Sequence, residues 1–197
     1  MHSVTHTRPD GVSVNPLLQE AGAASRQLYD ADVRELIESS LAWLERMPTL
    51  AERHGARMAN GMPLAACIGL DEADLSSRHQ AAYSLCEQGE FLLALPLALH
   101  CCSARADDAG YAFIAGSCLQ RLAITDYAAL MFRQVLNIDE RHMPAAYRLG
   151  ECLLALGDRD AAIHLFGWAV ELGRQDPGLR ELQSMAIARL GRLNSAC

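Results

Sequence analysis

A unit of thirty-four residues occurs twice in succession between Tyr111 and Leu172. The residues that recur at this offset are Gly116 and Gly150, Cys118 and Cys152, Leu119 and Leu153, Asp126 and Asp160, Ala128 and Ala162, and Phe132 and Phe166. Six matches at one offset, with the small residues in register, indicate an internal repeat rather than chance. This period predicts two antiparallel helices in each unit, packed against the helices of the neighbouring units.

The same period continues towards the N-terminus, where Leu85 and Ala94 extend the series by one further unit. The sequence therefore predicts an all-α fold of three tandem tetratricopeptide (TPR) helix-turn-helix repeats, with an N-terminal helical extension and a C-terminal capping helix. The repeats are expected at about 75–108, 109–142 and 143–176 and the capping helix at 177–193, within a repeat domain that spans 61–193.

Two further segments precede the repeats. Residues 1–29 are polar and interrupted by proline and glycine, so a mobile tail is expected there. Residues 30–60 form the predicted extension, which Asp32 and Glu35 would begin as a capping box and Pro48 would end or bend. Its apolar stripe consists of Val33, Leu36, Ile37, Leu41 and Leu44. The stripe must be buried against either the repeat body or another subunit.

Bulk properties exclude several classes of protein. The formal charge of −7 does not favour nonspecific binding to nucleic acid phosphates. The sequence contains no apolar run long enough to cross a membrane and no signal-peptide core near its start. Its seven cysteines are therefore expected to be thiols in a reducing cytoplasm.

The residues that bear reactive groups do not form a recognisable catalytic pattern. Cys118 and Cys152 share one repeat position, so they are interpreted as small packing residues, and so are the adjacent Cys101 and Cys102. The histidines lack metal-ligand spacing, and the sequence contains neither a phosphate-binding loop nor a nucleophile elbow. No cofactor, metal or enzymatic activity is expected.

Helix pairs of this kind curve around a groove that is lined by the first helix of each unit. Counting along each unit assigns to this groove Tyr83, Phe113 and Tyr147, a row of aromatic residues interleaved with Ser117, Gln120 and Glu151. Alternating aromatic and polar side chains suit the binding of an extended peptide, because the rings pack against apolar side chains while the polar groups form hydrogen bonds with the peptide backbone. The alternative is that the rings are partly buried in the repeat stack.

Three short motifs resemble one family. They are Gly89-Glu90-Phe91, Gly116-Ser117-Cys118-Leu119-Gln120 and Gly150-Glu151-Cys152-Leu153-Leu154. At this spacing they resemble the class II tetratricopeptide chaperones of bacterial type III secretion, which hold hydrophobic translocator proteins in the cytoplasm before export. The resemblance covers residues 60–175.

The resemblance implies that the chain binds an extended, proline-containing segment of a translocator protein and keeps that protein soluble. The groove positions that it implies are His79, Tyr83, Cys86, Phe91, Ala98 and Phe132. His79, Cys86 and Ala98 depart from the aromatic residues usual in the family. Family members often dimerise through the helix ahead of the repeats, which makes the apolar stripe of the extension a candidate dimerisation surface.

Two other functions remain open from the sequence. The first is a different interaction role: a TPR adaptor, a chaperone of a needle subunit, or a regulator that sequesters a transcription activator. The second is a metal or redox protein built on the cysteines.

Overall fold

The computed structural model describes residues 14–28, 30–174 and 176–195, which form ten α-helices and one short 3-10 helix. The first three helices are α1 (Val14–Ser25), α2 (Ala31–Ala59) and α3 (Leu64–Ile68). The repeat helices are α4 (Glu72–Glu87), α5 (Phe91–Ala104), α6 (Ala109–Arg121), α7 (Thr125–Ile138), α8 (Met143–Ala155) and α9 (Arg159–Gly173). The 3-10 helix Pro177–Leu179 leads into α10 (Arg180–Ser195). The all-α repeat architecture is confirmed.

Helix starts follow the repeat period. Asp108, His142 and Asp176 lie thirty-four residues apart, and each side chain accepts a hydrogen bond from a backbone N–H of the helix that follows. Such caps satisfy amide groups that have no partner within the helix. Burial lowers the pKa of His142, which keeps its ring neutral and able to accept this bond.

The turns within the repeats also follow the period. Gly89 and Gly157 have φ angles of 83° and 87°, and Ala123, at the equivalent position of the second repeat, has a φ of 60°. Left-handed backbone suits glycine, because an alanine Cβ there is strained by roughly 1–2 kcal/mol. The second repeat therefore makes the same turn at a higher conformational cost.

The chain divides into two compact units, with the boundary between Ile124 and Thr125, inside the second repeat. In the first unit the core is centred on α5, which packs against α1, α2, α4 and α6. Most of this helix is buried, including Leu95, Leu97 and Pro96. A helix that is apolar on all sides is expected where neighbours surround it.

The N-terminal region differs from the sequence-based expectation. Residues 14–25 of the expected mobile tail form α1, which packs against α2 and α5 and buries Ala21 and Ser25. Residues 1–13 and Tyr29 lie outside the described residues. Asp30 caps the start of α2, and its carboxylate accepts hydrogen bonds from the amides of Asp32 and Val33, so the capping box predicted at Asp32 is wrong. The helix also continues through Pro48 as far as Ala59.

The apolar stripe of α2 is used within the chain. Ile37 is completely buried, whereas Val33, Leu36, Leu41 and Leu44 are half-buried. A Cβ atom at Gly22 of α1 would lie 3.1 Å from Cδ1 of Leu41, which shows how closely these two helices approach.

A buried polar cluster fixes α2 to the first repeat. The Arg78 guanidinium of α4 donates hydrogen bonds to the carbonyl of Leu36 and to the hydroxyls of Ser39 and Ser40, at 2.8–2.9 Å. Its other nitrogens bind the Asp74 carboxylate at 3.0 Å. A buried guanidinium is tolerated only when its donors are satisfied in this way. The cluster therefore specifies one position of α2 on α4.

In the second unit, α7, α8, α9 and α10 enclose a core that contains Phe132 and Phe166, both fully buried. Gly150 of α8 lies directly against the Phe166 ring, because an added Cβ atom would be only 2.9 Å from Cε1 of that ring. The repeat signature of a glycine in one helix and a phenylalanine in its partner thus corresponds to a close helix contact.

Candidate peptide-binding surface

The residues assigned to the groove in the first repeat lie on one face of α4. His79, Tyr83 and Cys86 are separated by four and three residues, which places them on one side of a helix; we call them the α4 stripe. His79 and Cys86 are half-buried, and Tyr83 is 51% exposed. An exposed tyrosine ring between two half-buried side chains provides apolar area with a polar tip, which suits peptide binding.

The two ends of the α4 stripe contact α6. The His79 ring lies 5.0 Å from the Tyr111 ring, with their planes inclined by 53°. The Cys86 and Cys118 sulfur atoms are 3.4 Å apart. Burial lowers the pKa of His79, opposed in part by Asp108, so the ring is neutral at physiological pH.

Tyr83 has one polar neighbour on its own helix. A hydrogen bond from its hydroxyl to Glu87, four residues on, raises the pKa of Tyr83, and the charge of Glu87 adds to this effect. The phenol therefore stays protonated at neutral pH, with its ring open to solvent.

Phe91 begins α5 immediately after the left-handed turn at Gly89 and is half-buried. The Arg121 guanidinium, at the end of α6, lies 4.8 Å from the centre of its ring. This is a cation–π geometry, and it covers one face of a residue that the family resemblance assigns to the groove. Arg121 could not be predicted from the sequence, because contact between the start of α5 and the end of α6 depends on how the helices pack.

Phe113, Ser117 and Gln120 of α6 are half-buried. Helical geometry places them on the side of α6 opposite to Tyr111 and Cys118. The Ser117 hydroxyl donates a hydrogen bond to the Phe113 carbonyl at 2.8 Å, so its polar group is satisfied within the helix. These three residues remain candidates for peptide contact.

Three residues assigned to the groove belong instead to the core. Ala98 and Phe132 are buried in their respective units, and Tyr147 is only 1% exposed. The Tyr147 ring packs on Phe166 with centroids 5.5 Å apart. The expectation that the Tyr147 ring is free of packing is therefore wrong, whereas Tyr83 does have an exposed ring.

Helix α10 contacts Tyr147 and Glu151, the third-repeat equivalents of His79 and Tyr83. Its Arg189 donates a hydrogen bond to the Glu151 carboxylate at 2.9 Å, and Arg148 binds the other oxygen at 3.0 Å. A hydrogen bond with Tyr147 is also the main cause of a raised pKa at Arg189. In α8, then, two of the three positions equivalent to the α4 stripe contact α10.

Within the described part of the chain, no group of three or more histidine, cysteine, aspartate or glutamate side chains is arranged to hold a metal ion. None of the helices described above is long and apolar enough to cross a membrane.

No protein-family model matches the sequence, and a search of curated proteins found no match. Solved structures do match. A type III secretion complex from Aeromonas hydrophila has a TM-score of 0.68 at 21% identity, covering 74% of this chain and 97% of its own. PcrH, from Pseudomonas aeruginosa, in complex with the chaperone binding region of PopD has a TM-score of 0.62 at 25% identity, covering 65% and 96%.

The type III secretion translocator chaperone SycD of Yersinia enterocolitica, in complex with a peptide of the translocator YopD, has a TM-score of 0.62 at 20% identity. The match covers 64% of this chain and 97% of SycD. SycD has also been crystallised as an alternative dimer. SycD and PcrH are translocator chaperones of type III secretion, the class of protein that the sequence motifs resemble.

Proposed function

We propose that this chain is a cytoplasmic type III secretion chaperone that binds an extended segment of a hydrophobic translocator protein. The observation that carries the proposal is the α4 stripe, with its exposed Tyr83, on a fold shared with chaperones crystallised with translocator peptides. The role is binding, and no catalytic step is assigned to any residue.

The α4 stripe and the half-buried residues of α6 offer the chemistry that an extended peptide needs. Tyr83 and Phe113 provide rings for apolar side chains, and Gln120 provides an amide that can meet a peptide backbone. Each apolar anchor that becomes buried contributes roughly 1.5–3 kcal/mol, and micromolar affinity corresponds to about 8 kcal/mol. A few anchors are therefore sufficient once the cost of association is included.

In the second unit, the residues that the sequence assigned to the groove already have partners within that unit. The Glu151 carboxylate already binds two arginine side chains, and Tyr147 is buried. A peptide that used Glu151 would have to displace Arg189 or share its charge. We therefore assign the peptide anchors to α4 and α6, within the first unit.

We also propose that the chain forms a homodimer through the exposed side of α1 and α2. Leu18, Leu41, Leu44 and Pro48 line an open cavity between these two helices. Ile37 is excluded from this surface, because it is fully buried within the chain. The dimerisation surface is thus reduced to the half-buried members of the predicted stripe, Val33, Leu36, Leu41 and Leu44.

The proposed function is tested by co-expression, in a host without a type III system, with each hydrophobic secreted protein encoded beside this gene. We expect at least one of these proteins to move from the insoluble to the soluble fraction and to co-purify with the chain. If all remain insoluble and native pull-down recovers a transcription activator or a needle subunit instead, the alternative interaction roles replace this proposal.

A further inference from the structure

Two free thiols lie almost in contact between α4 and α6. The Sγ atoms of Cys86 and Cys118 are 3.4 Å apart, and neither cysteine forms a disulfide. Both residues belong to the first compact unit. A disulfide requires a sulfur–sulfur distance of about 2.05 Å, so the two atoms need to approach by about 1.4 Å. Rotation of two side chains supplies movements of this size.

The two thiols differ in their access to solvent. Cys86 is half-buried, whereas Cys118 is completely buried. The other cysteines that the structure describes are also buried: Cys67, Cys101, Cys102 and Cys152. Among the cysteines that the structure describes, Cys86 is therefore the one that a small solute reaches most readily. The pair has the arrangement of a reactive cysteine beside a resolving cysteine.

The electrostatics favour the same roles. A hydrogen bond from Cys118 lowers the pKa of Cys86, although partial burial opposes this. The same contact, together with burial, raises the pKa of Cys118. Because the thiolate is the nucleophile, Cys86 is the sulfur that reacts first.

We propose that Cys86 and Cys118 form an oxidant-reactive thiol pair, which hydrogen peroxide converts into a disulfide that links α4 to α6. The Cys86 thiolate attacks one peroxide oxygen, the O–O bond breaks, and the departing hydroxide takes up a proton to become water. The resulting sulfenic acid is attacked by the Cys118 sulfur, which loses its proton as the S–O bond breaks and a second water leaves. Overall, two thiols and one peroxide give one disulfide and two waters.

The pair also lies within the proposed binding surface, since Cys86 is the last member of the α4 stripe. A disulfide there would change the cargo-binding surface, a consequence that rests on the proposed function. Formation of the disulfide itself does not depend on any cargo, so it can be tested separately.

The test treats the native full-length chain with hydrogen peroxide, alkylates the remaining thiols in denaturant, and digests the protein with trypsin and an endoprotease specific for glutamate. We expect mass spectrometry to find peptide 79–87 joined to peptide 106–121 with the loss of two hydrogens, and dithiothreitol to separate them. Peroxide treatment in denaturant should give this link at least tenfold less often, because the helices no longer hold the sulfurs together.

Three variants complete the experiment. Cys86→Ser should abolish the link, and Cys118→Ser should leave a sulfenic acid at Cys86 that dimedone captures. Cys152 has the same repeat position as Cys118, and Cys152→Ser should leave the link unchanged. Circular dichroism checks that each variant is folded. Full alkylation of Cys86 after peroxide treatment of the folded wild type, or a link from Cys86 to another cysteine, would overturn the proposal.

Discussion

The indole ring of Trp43 lies flat against the imidazole of His100, with ring centroids 4.5 Å apart and planes inclined by only 4°. The indole nitrogen donates a hydrogen bond to the Ser103 hydroxyl at 2.9 Å, and His100 Nδ1 lies 3.2 Å from the Ser40 hydroxyl. This contact joins α2 to α5, so the N-terminal extension is part of the core of the first unit rather than an appendage.

Removing the Trp43 ring should therefore destabilise the whole unit. We expect Trp43→Ala to lower the free energy of unfolding by about 3–5 kcal/mol, the usual cost of deleting a buried aromatic ring. The measurement is urea denaturation followed by circular dichroism. Trp168→Ala is the control; because that side chain is 46% exposed, its loss should cost less than about 1 kcal/mol. Equal losses in the two variants would contradict the packing of α2 described above.

Stability should also decrease in mild acid because of His100. Burial, aided by the charge of Arg78 and opposed by Asp74, lowers the pKa of His100 to about 3 from an ordinary value of 6.5. The unfolded chain therefore takes up a proton as the pH falls below 6.5, while the folded chain does not until about 3. Stability is complete above pH 6.5 and is lost progressively below it, by about 2 kcal/mol at pH 5.

This pH dependence is measured from urea denaturation at pH 7 and pH 5. His100→Phe keeps a ring against Trp43 and should reduce the loss of stability between these two pH values. A smaller loss should remain, since burial also lowers the pKa of His79 and His142. The exposed His164 provides the control, and His164→Asn should behave as the wild type. An unchanged pH dependence in His100→Phe would refute the assignment.

Two glycines in the second unit should respond to alanine in opposite directions. At Gly150 a Cβ atom would lie 2.9 Å from the Phe166 ring, so Gly150→Ala should cost about 1–3 kcal/mol through overpacking. At Gly167, inside α9, no atom outside the adjacent backbone of that helix lies within 4 Å of the added Cβ, so Gly167→Ala should stabilise the protein by about 0.5–1 kcal/mol. Thermal denaturation of the two variants measures both effects. Destabilisation by Gly167→Ala would contradict the packing of α9 described above.

Tyr83 should affect binding without affecting folding. We expect Tyr83→Ala to weaken cargo binding by roughly tenfold to a hundredfold, the effect of losing one aromatic anchor. Its melting temperature should remain close to that of the wild type, because the ring is exposed. Titration calorimetry with the translocator identified by co-expression measures the affinity. Leu130→Ala, which removes an equally exposed apolar side chain from α7, should bind normally.

The dimer proposal has its own test. Leu44 lines the cavity between α1 and α2 and is half-buried, so Leu44→Glu should convert the dimer into a folded monomer. Analytical ultracentrifugation measures the change, and circular dichroism checks the helix content. Ile37→Glu should instead unfold the first unit, because a charge at a fully buried position has no partner. A wild-type chain that sediments as a monomer at all concentrations would contradict the proposal.

The period of thirty-four residues was sufficient to predict the repeat helices, because caps and turns recur with it. Helix α1 was missed for a physical reason: Pro16 and Gly22 weaken its local helical signal, and its stability comes from contact with α2 and α5. Pro48 was expected to end or bend α2, but this helix continues past it for more than two turns.

The candidate site was predictable in part. Spacing along α4 was sufficient to place His79, Tyr83 and Cys86 on one face, because the pattern of one helix determines which side chains share a face. The same counting also assigned Tyr147, the third-repeat equivalent of His79, to the groove, whereas this ring is buried. Its hydrogen-bond partner Arg189 lies in a helix that the repeat pattern identifies only as a cap.

Helix α10 also has a consequence for assembly. Its Gln183 donates a hydrogen bond to the Val170 carbonyl at 2.9 Å, its Ala186 is buried, and Arg189 binds Glu151. It thus takes the place that the first helix of a fourth repeat would occupy on α8 and α9. Without α10, the last repeat would expose an apolar surface on which the first helix of another molecule could pack. Because α10 covers this surface, we expect a chain that lacks α10 to associate head to tail.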